Sequence, residues 1–189
     1  YERGNFLSYG ACGLPYYIGG FNRDATKMIA RTREQYDELG IATHLRHEAV
    51  AVDPARKRVQ VRNLDTGEVF YDDYDVLMIA VGCDSVTPNV PGYDLPSVLY
   101  VKTMEDGLLF ERVARMEGVN EVTIVGGGYI GVEMAEALLH LGKRVTLVEA
   151  ADRLLTPFEP EFSELCGEEL EKQGVTLRLG ERVTAFTEE

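Results

Sequence analysis

Cysteine is scarce in this chain and scattered: Cys12, Cys83 and Cys166 are the three among 189 residues. Such spacing supports neither a metal cluster nor a disulfide framework, and it fits a reducing, cytoplasmic setting. Basic residues are short as well, 19 Lys and Arg against 32 Asp and Glu, for a formal net charge of −13. A chain this acidic is repelled by phosphate backbones and anionic lipid, which argues against nucleic acid and membrane surfaces as partners. Long apolar runs are missing: none approaches the roughly 20 residues that a membrane span needs. The first residue is Tyr1, with neither an initiator Met nor a basic-then-apolar leader in view. The expectation is therefore neither a secretory precursor nor a natural start. What is present is ordinary for a globular chain, 45% hydrophobic and 27% charged. That is enough for one domain or two small ones with a real core.

The first twenty residues are rich in glycine and aromatics and weak in periodicity, and read as a loop and a helix start. Apolar positions Met28, Ile29, Tyr36 and Leu39 predict one helix over residues 24–39, with Gly40 as its stop. The alternating segment 47–82 has turn signals at DPARK and DTGE, and predicts a three-stranded antiparallel meander feeding an apolar strand at 75–81. Pro88, Pro91 and Pro96 with Gly92 then mark a linker, which puts a domain boundary near residues 88–100. Beyond it the pattern predicts a helix over 104–117 capped by Thr103, a strand at 121–125 and a helix after the glycine turn. A strand at 144–149, a helix over 160–173 and a strand at 174–179 complete a βαβαβ series.

The most specific signal is Gly126-x-Gly128-x-x-Gly131, set directly after an apolar strand and at the start of a helix. Gly126 permits the tight turn. Gly128 lets a pyrophosphate reach the backbone, where helix N-terminal amides hold it, and Gly131 lets helix and strand pack closely. A bare glycine pattern is weak, but Glu149 ends the next strand 18 residues after Gly131, where a ribose-binding carboxylate belongs. A carboxylate there accepts from both ribose hydroxyls and repels the 2′-phosphate of NADP, which favours NADH. Arg153 is the one cation close by in sequence.

Cys12 lies in SYGACGLPYY among small residues. Flanking glycines suggest backbone access, and a thiol at a helix start has its thiolate favoured. Most free cysteines are nevertheless small buried hydrophobes, so these local facts leave a reactive and a structural reading both open. Cys83, after an apolar strand, and Cys166, inside an amphipathic helix, read as packing residues.

Taken together, ERGNFLSYGACGLPYYIGG, YDVLMIAVG, the P-x-x-P-G linker and VGGGYIGVEMAEALLHLGKRVTLVEAADRLL resemble the single-cysteine branch of the pyridine nucleotide-disulfide oxidoreductases. That branch contains coenzyme A-disulfide reductases, NADH oxidases and peroxidases, and NADH-dependent persulfide reductases. The resemblance implies an α/β fold with Rossmann-like parallel sheets. An incomplete FAD domain with the antiparallel meander (1–97) is followed by an NAD(P)H-binding βαβ domain (98–189). It implies that Glu2 binds the adenosine ribose of FAD and that Cys12 is the redox cysteine beside the flavin. Ser8 matches a serine that helps bind the coenzyme A substrate, while Ala80, Val81 and Gly82 match a segment that passes the FAD. Tyr129, with Ile130 beside it, resembles the aromatic covering the nicotinamide side of the flavin, and Glu133 a glutamate near the nicotinamide.

Two departures qualify the likeness. Tyr17 stands where two-cysteine relatives carry their second cysteine, so an internal redox disulfide of that type is excluded. Ala11 and Tyr9 stand where many coenzyme A-disulfide reductases have S-F-x-N-C, which weakens coenzyme A disulfide as the named substrate. The family order also has a FAD glycine turn before Tyr1 and a dimer domain after Glu189, so an internal piece of a longer protein is expected. The expected function is a FAD- and NADH-dependent reductase of a small disulfide or persulfide, homodimeric in its full length. An NADH oxidase or peroxidase acting on an oxygen species through a cysteine sulfenic acid is the alternative enzyme. A non-catalytic NAD or redox sensor is the alternative from another class.

Overall fold

The computed structural model describes residues 1–188, whose contacts divide them into two units. One comprises Tyr1–Gly10 and Thr26–Asp84, and the other comprises Ala11–Ala25 and the chain from Ser85 onward. In this contact partition residues 11–25 and 85–97 group with the second unit.

In the first unit the alternating segment forms β1 (His47–Asp53), β2 (Arg58–Asn63) and β3 (Val69–Asp73), an antiparallel sheet in the order β1-β2-β3. Both turns are held by a side-chain acceptor, the first from within DPARK and the second from Asn63, two residues before DTGE. The Asp53 carboxylate accepts from the Arg56 amide and guanidinium, and Asn63 Oδ1 accepts from the amides of Asp65 and Thr66. Period-two alternation buries Val59 and Val61 on one face of β2. A register irregularity between Ala49 and Ala51 leaves Val50 exposed.

Two expectations in this unit are corrected. The predicted helix over 24–39 is instead a 3₁₀ turn at Ala25–Met28 and a short helix, which we label α2 (Arg33–Glu38). The Thr32 hydroxyl accepts from the Gln35 amide while the Gln35 side chain accepts from the Thr32 amide, a capping box that starts the helix there. Upstream the backbone is already taken, since Gly10 donates to the Met28 carbonyl and Ala30 to that of Ser8. Gly40 does end α2, at φ 73, with the Gly40 and Ile41 amides closing on the Asp37 and Tyr36 carbonyls. The predicted strand at 75–81 is irregular, and Val76, Met78, Ile79 and Val81 are exposed. A run this apolar becomes a strand only when neighbours pair its backbone and cover its faces, and among the described residues none does.

The second unit holds α1 (Leu14–Ile18), α3 (Met104–Ala114), β4 (Glu121–Val125), α4 (Tyr129–His140), β5 (Arg144–Glu149), α5 (Pro160–Lys172) and β6 (Thr176–Leu179). The strands β4, β5 and β6 are parallel neighbours in that order, so β4-α4-β5-α5-β6 is the expected series. Ala135 and Leu138 on α4, Leu147 on β5 and Ile18 on α1 are fully buried in one cluster. The helix α1 packs on α3 and α4, and glycine helps it come close: a Cβ at Gly19, just after α1, would sit 3.0 Å from the Ala137 Cα of α4. The proline region is fastened to this unit, with the Phe186 amide donating to the Pro91 carbonyl at 2.8 Å. Among the described residues no helix is long and apolar enough to cross a membrane.

Thr103 caps α3 through a reciprocal box with Asp106. Replacing Thr103 with Ala is expected to lower the stability of the second unit by about 1 kcal/mol in urea unfolding. A loss of only about a tenth of that would mean that packing alone holds α3 in place.

Candidate functional site: a glycine turn clamped to a carboxylate

The strand β4 ends in the three glycines 126–128, each with a different geometry. Gly126 takes φ 110, a left-handed conformation that L side chains rarely adopt, and donates to the Val148 carbonyl at 2.8 Å. Gly128 caps α4 with extended backbone and no side chain, and a Cβ built on it meets no protein atom within 4 Å. A Cβ on Gly131 would overlap the Gly126 carbonyl oxygen, so that glycine is required by the helix–strand packing itself. The first-turn amides of α4 have no acceptor within the helix.

Glu149 ends β5 and turns its half-buried carboxylate into the same turn. Its Oε2 accepts from the Gly127 amide at 2.6 Å and its Oε1 from the Ala151 amide at 2.7 Å. Each oxygen keeps capacity for a further donor. Sequence reasoning gave Gly127 no role, although three consecutive glycines where the motif needs two were the available signal. A Cβ there would sit 2.6 Å from Leu154 Cδ2 and 3.1 Å from Glu149 Cβ. Arg153 donates to the Thr156 carbonyl, so the nearby cation is engaged within its own loop.

Tyr129 and Ile130 are 56% and 53% exposed on the first turn of α4, and Glu133 is exposed one turn further on. Tyr129 meets Phe158 edge-on, with ring centroids 5.5 Å apart.

Cys12 is exposed in the 3₁₀ turn Ala11–Gly13 that leads into α1. Five residues on, Tyr17 is half-buried against the core, and burial, reinforced by Glu111, pushes its hydroxyl pKa up. Cys166 is half-buried, and burial raises its thiol. Cys83 is exposed, which corrects its reading as a packing residue, because the run before it is unpaired. Brief alkylation is therefore expected to label Cys12 and Cys83 first and Cys166 last, read by peptide mass spectrometry. Labelling led by Cys166 would contradict this.

In the first unit Glu2 repeats the device seen at Glu149. It is bridged in parallel to Leu45, and its Oε1 accepts from the amide two residues on, that of Gly4, at 2.6 Å. The Ser8 carbonyl accepts from Ala30, while Ala80, Val81 and Gly82 lie on the unpaired, exposed run, with Gly82 at φ 65. Among the described residues no group of three or more His, Cys, Asp and Glu is placed to hold a metal ion.

The profile of the pyridine nucleotide-disulphide oxidoreductases matches residues 1–189. The chain belongs to that family. Within it the chain is 33% identical over 187 residues to an NADH oxidase of Enterococcus faecalis, covering 98% of this chain and 42% of that protein. It is 35% identical over 184 residues to a CoA-dependent NAD(P)H sulfur oxidoreductase of Pyrococcus abyssi, covering 97% and 40%. The crystal structure of reduced Bacillus anthracis CoADR-RHD superposes with a TM-score of 0.93 at 31% identity, over 97% of this chain and 33% of that one. The chain thus spans about two fifths of the length of the curated family members it matches.

Proposed function

We propose that the chain is the nicotinamide-dinucleotide-binding and thiol-bearing part of a longer FAD-dependent NAD(P)H oxidoreductase that reduces a small disulfide or persulfide through Cys12. The observation that carries this reading is the Gly126–Gly128 turn clamped to Glu149, with open space over Gly128 where any side chain would intrude on a ligand. Residues 98–189 then form the NAD(P)H domain and residues 1–97 part of the FAD domain.

The pyrophosphate would lie over Gly128, against the α4 amides and the positive end of the helix dipole. Glu149 would accept from the ribose hydroxyls and repel a 2′-phosphate, which favours NADH over NADPH. Tyr129 and Ile130 would cover the nicotinamide side, with Glu133 beside the ring. Glu2 would take the FAD ribose, and Ala80, Val81 and Gly82 would pass along that cofactor. When bound, the two cofactors supply hydride and electron transfer, which no side chain provides.

The part of Cys12 is nucleophilic. Its thiolate attacks one sulfur of R–S–S–R, forming a Cys12–S–S–R mixed disulfide and expelling RS⁻. Two electrons and a proton then release RSH and restore the thiolate. Ser8 would contact the substrate. The family resemblance also makes a cytoplasmic homodimer the expected assembly. The named activity of the E. faecalis relative favours a second reading, oxygen reduction through a Cys12 sulfenic acid.

Product analysis on the intact protein containing this chain separates the two. The proposal expects two thiols per NADH from a low-molecular-weight disulfide, and no thiol release from Cys12→Ser. NADH consumed only with oxygen, yielding water or peroxide, would replace this reading with the second.

A further inference from the structure

Gly127 is the position between the two glycines to which the motif assigns work, yet both of its backbone polar groups are committed. Its N–H donates to Glu149 Oε2 at 2.6 Å, and its carbonyl accepts from the Leu155 amide at 2.8 Å. Leu155 makes that bond from φ 47, a left-handed conformation disfavoured for a leucine, which persists only where the surroundings impose it. Next to it Leu154 is 1% exposed and fills the space that a Gly127 side chain would need. The far side of the loop is tied down too: Ala151 donates to Glu149 Oε1 and accepts from Gly180, and the Glu149 carbonyl accepts from Glu181. One residue, through the peptide groups on either side of it, therefore joins the turn after β4, the carboxylate ending β5 and the loop 150–156.

We propose that Gly127 is a positioning residue that sets nucleotide specificity, by fixing the Glu149 carboxylate and tethering the loop 150–156 through Leu155. A carboxylate held by two amides offers its remaining lone pairs in one direction, as bidentate recognition of a ribose diol requires, and cannot rotate away from a 2′-phosphate. Released, the same side chain would swing clear and lose both effects. The inference rests on the reading of this turn as a dinucleotide site.

The test has a ligand-free arm and a binding arm on the 189-residue chain. In ¹H–¹⁵N spectra, the Gly127 and Ala151 amide protons should both shift upfield as acid protonates Glu149, and neither should do so in Glu149→Gln. In titrations with NADH and NADPH, Gly127→Ala should reduce the NADH preference about tenfold: alanine keeps the N–H, but its methyl would press on Leu154 and the Glu149 stem and push the amide off the carboxylate, the effect of one lost hydrogen bond to a charged group. An unchanged preference in folded Gly127→Ala, or a Gly127 amide indifferent to Glu149, overturns the proposal. Should Gly127→Ala fail to fold, the amide titration decides alone. Wild-type chain that binds neither nucleotide would refute the dinucleotide reading, whereas the amide titration would still report on the clamp.

Discussion

Gly128→Ala is expected to fold like the wild type and to lose NADH binding, whereas Gly131→Ala is expected to unfold the turn. The two glycines sit three residues apart in one motif, and their surroundings differ completely. A Cβ on Gly128 meets open space, and its φ of −79° suits alanine, so the change in stability should stay within about 1 kcal/mol, the scale of an altered N-cap. The added methyl projects where a pyrophosphate would lie, and affinity should fall at least about tenfold, equivalent to about 1.4 kcal/mol. At Gly131 the methyl would overlap the Gly126 carbonyl oxygen, a backbone atom that cannot yield as a flexible side chain can, in a residue whose amide is bonded to the Val148 carbonyl. Moving α4 off β4 to relieve this should cost about 3 kcal/mol, the upper range for overpacking. Urea unfolding with NADH titration separates the effects. Equal destabilisation by both substitutions would mean that Gly128 belongs to the packing and not to a ligand cradle.

Leu147→Ala should strongly destabilise the second unit. Leu147 is fully buried at the centre of β5, paired with Ile124 on one side and Leu177 on the other, and it belongs to the cluster with Leu138, Leu154 and Leu170. The strand is hydrogen-bonded on both edges, so the void cannot be closed by a simple shift. The expected loss is about 4 kcal/mol, within the range for leucine truncation in a rigid core. That is a large fraction of the stability of a unit this size. Circular dichroism during denaturation is the check, and a loss below about 1 kcal/mol would show that the site collapses freely.

The second unit was legible because its signals are local and agree with one another. The apolar strands 121–125 and 144–149, the glycines between them and the cap at Thr103 each specify the same series. The meander was legible for the same reason, through alternation and two strong turns. Failures came where a distant partner decides the outcome. Residues 29 and 30 pair with the chain near Tyr9, which no periodicity within 24–39 announces, and the strand at 75–81 depends on neighbours absent from the described residues. Cys83 was misjudged as a consequence, because its burial was inferred from that strand. At the site, the pairing of Gly126–Gly131 with Glu149 could be read from spacing alone. The part played by Gly127 could not, since spacing does not reveal which amide a carboxylate finds.

The 189-residue chain purified alone should carry no stoichiometric flavin, because Ala80 and Gly82 lie on an unpaired, exposed run unable to brace a cofactor. A full flavin absorption band on the purified chain would contradict this.

Hydrogen–deuterium exchange of the chain with and without NADH tests whether the glycine turn and Glu149 form a dinucleotide site. Slowed exchange is expected at residues 126–131 and 149–155, with β1, β2 and β3 unchanged. No protection at the glycine turn, or protection confined to another segment, would contradict that reading.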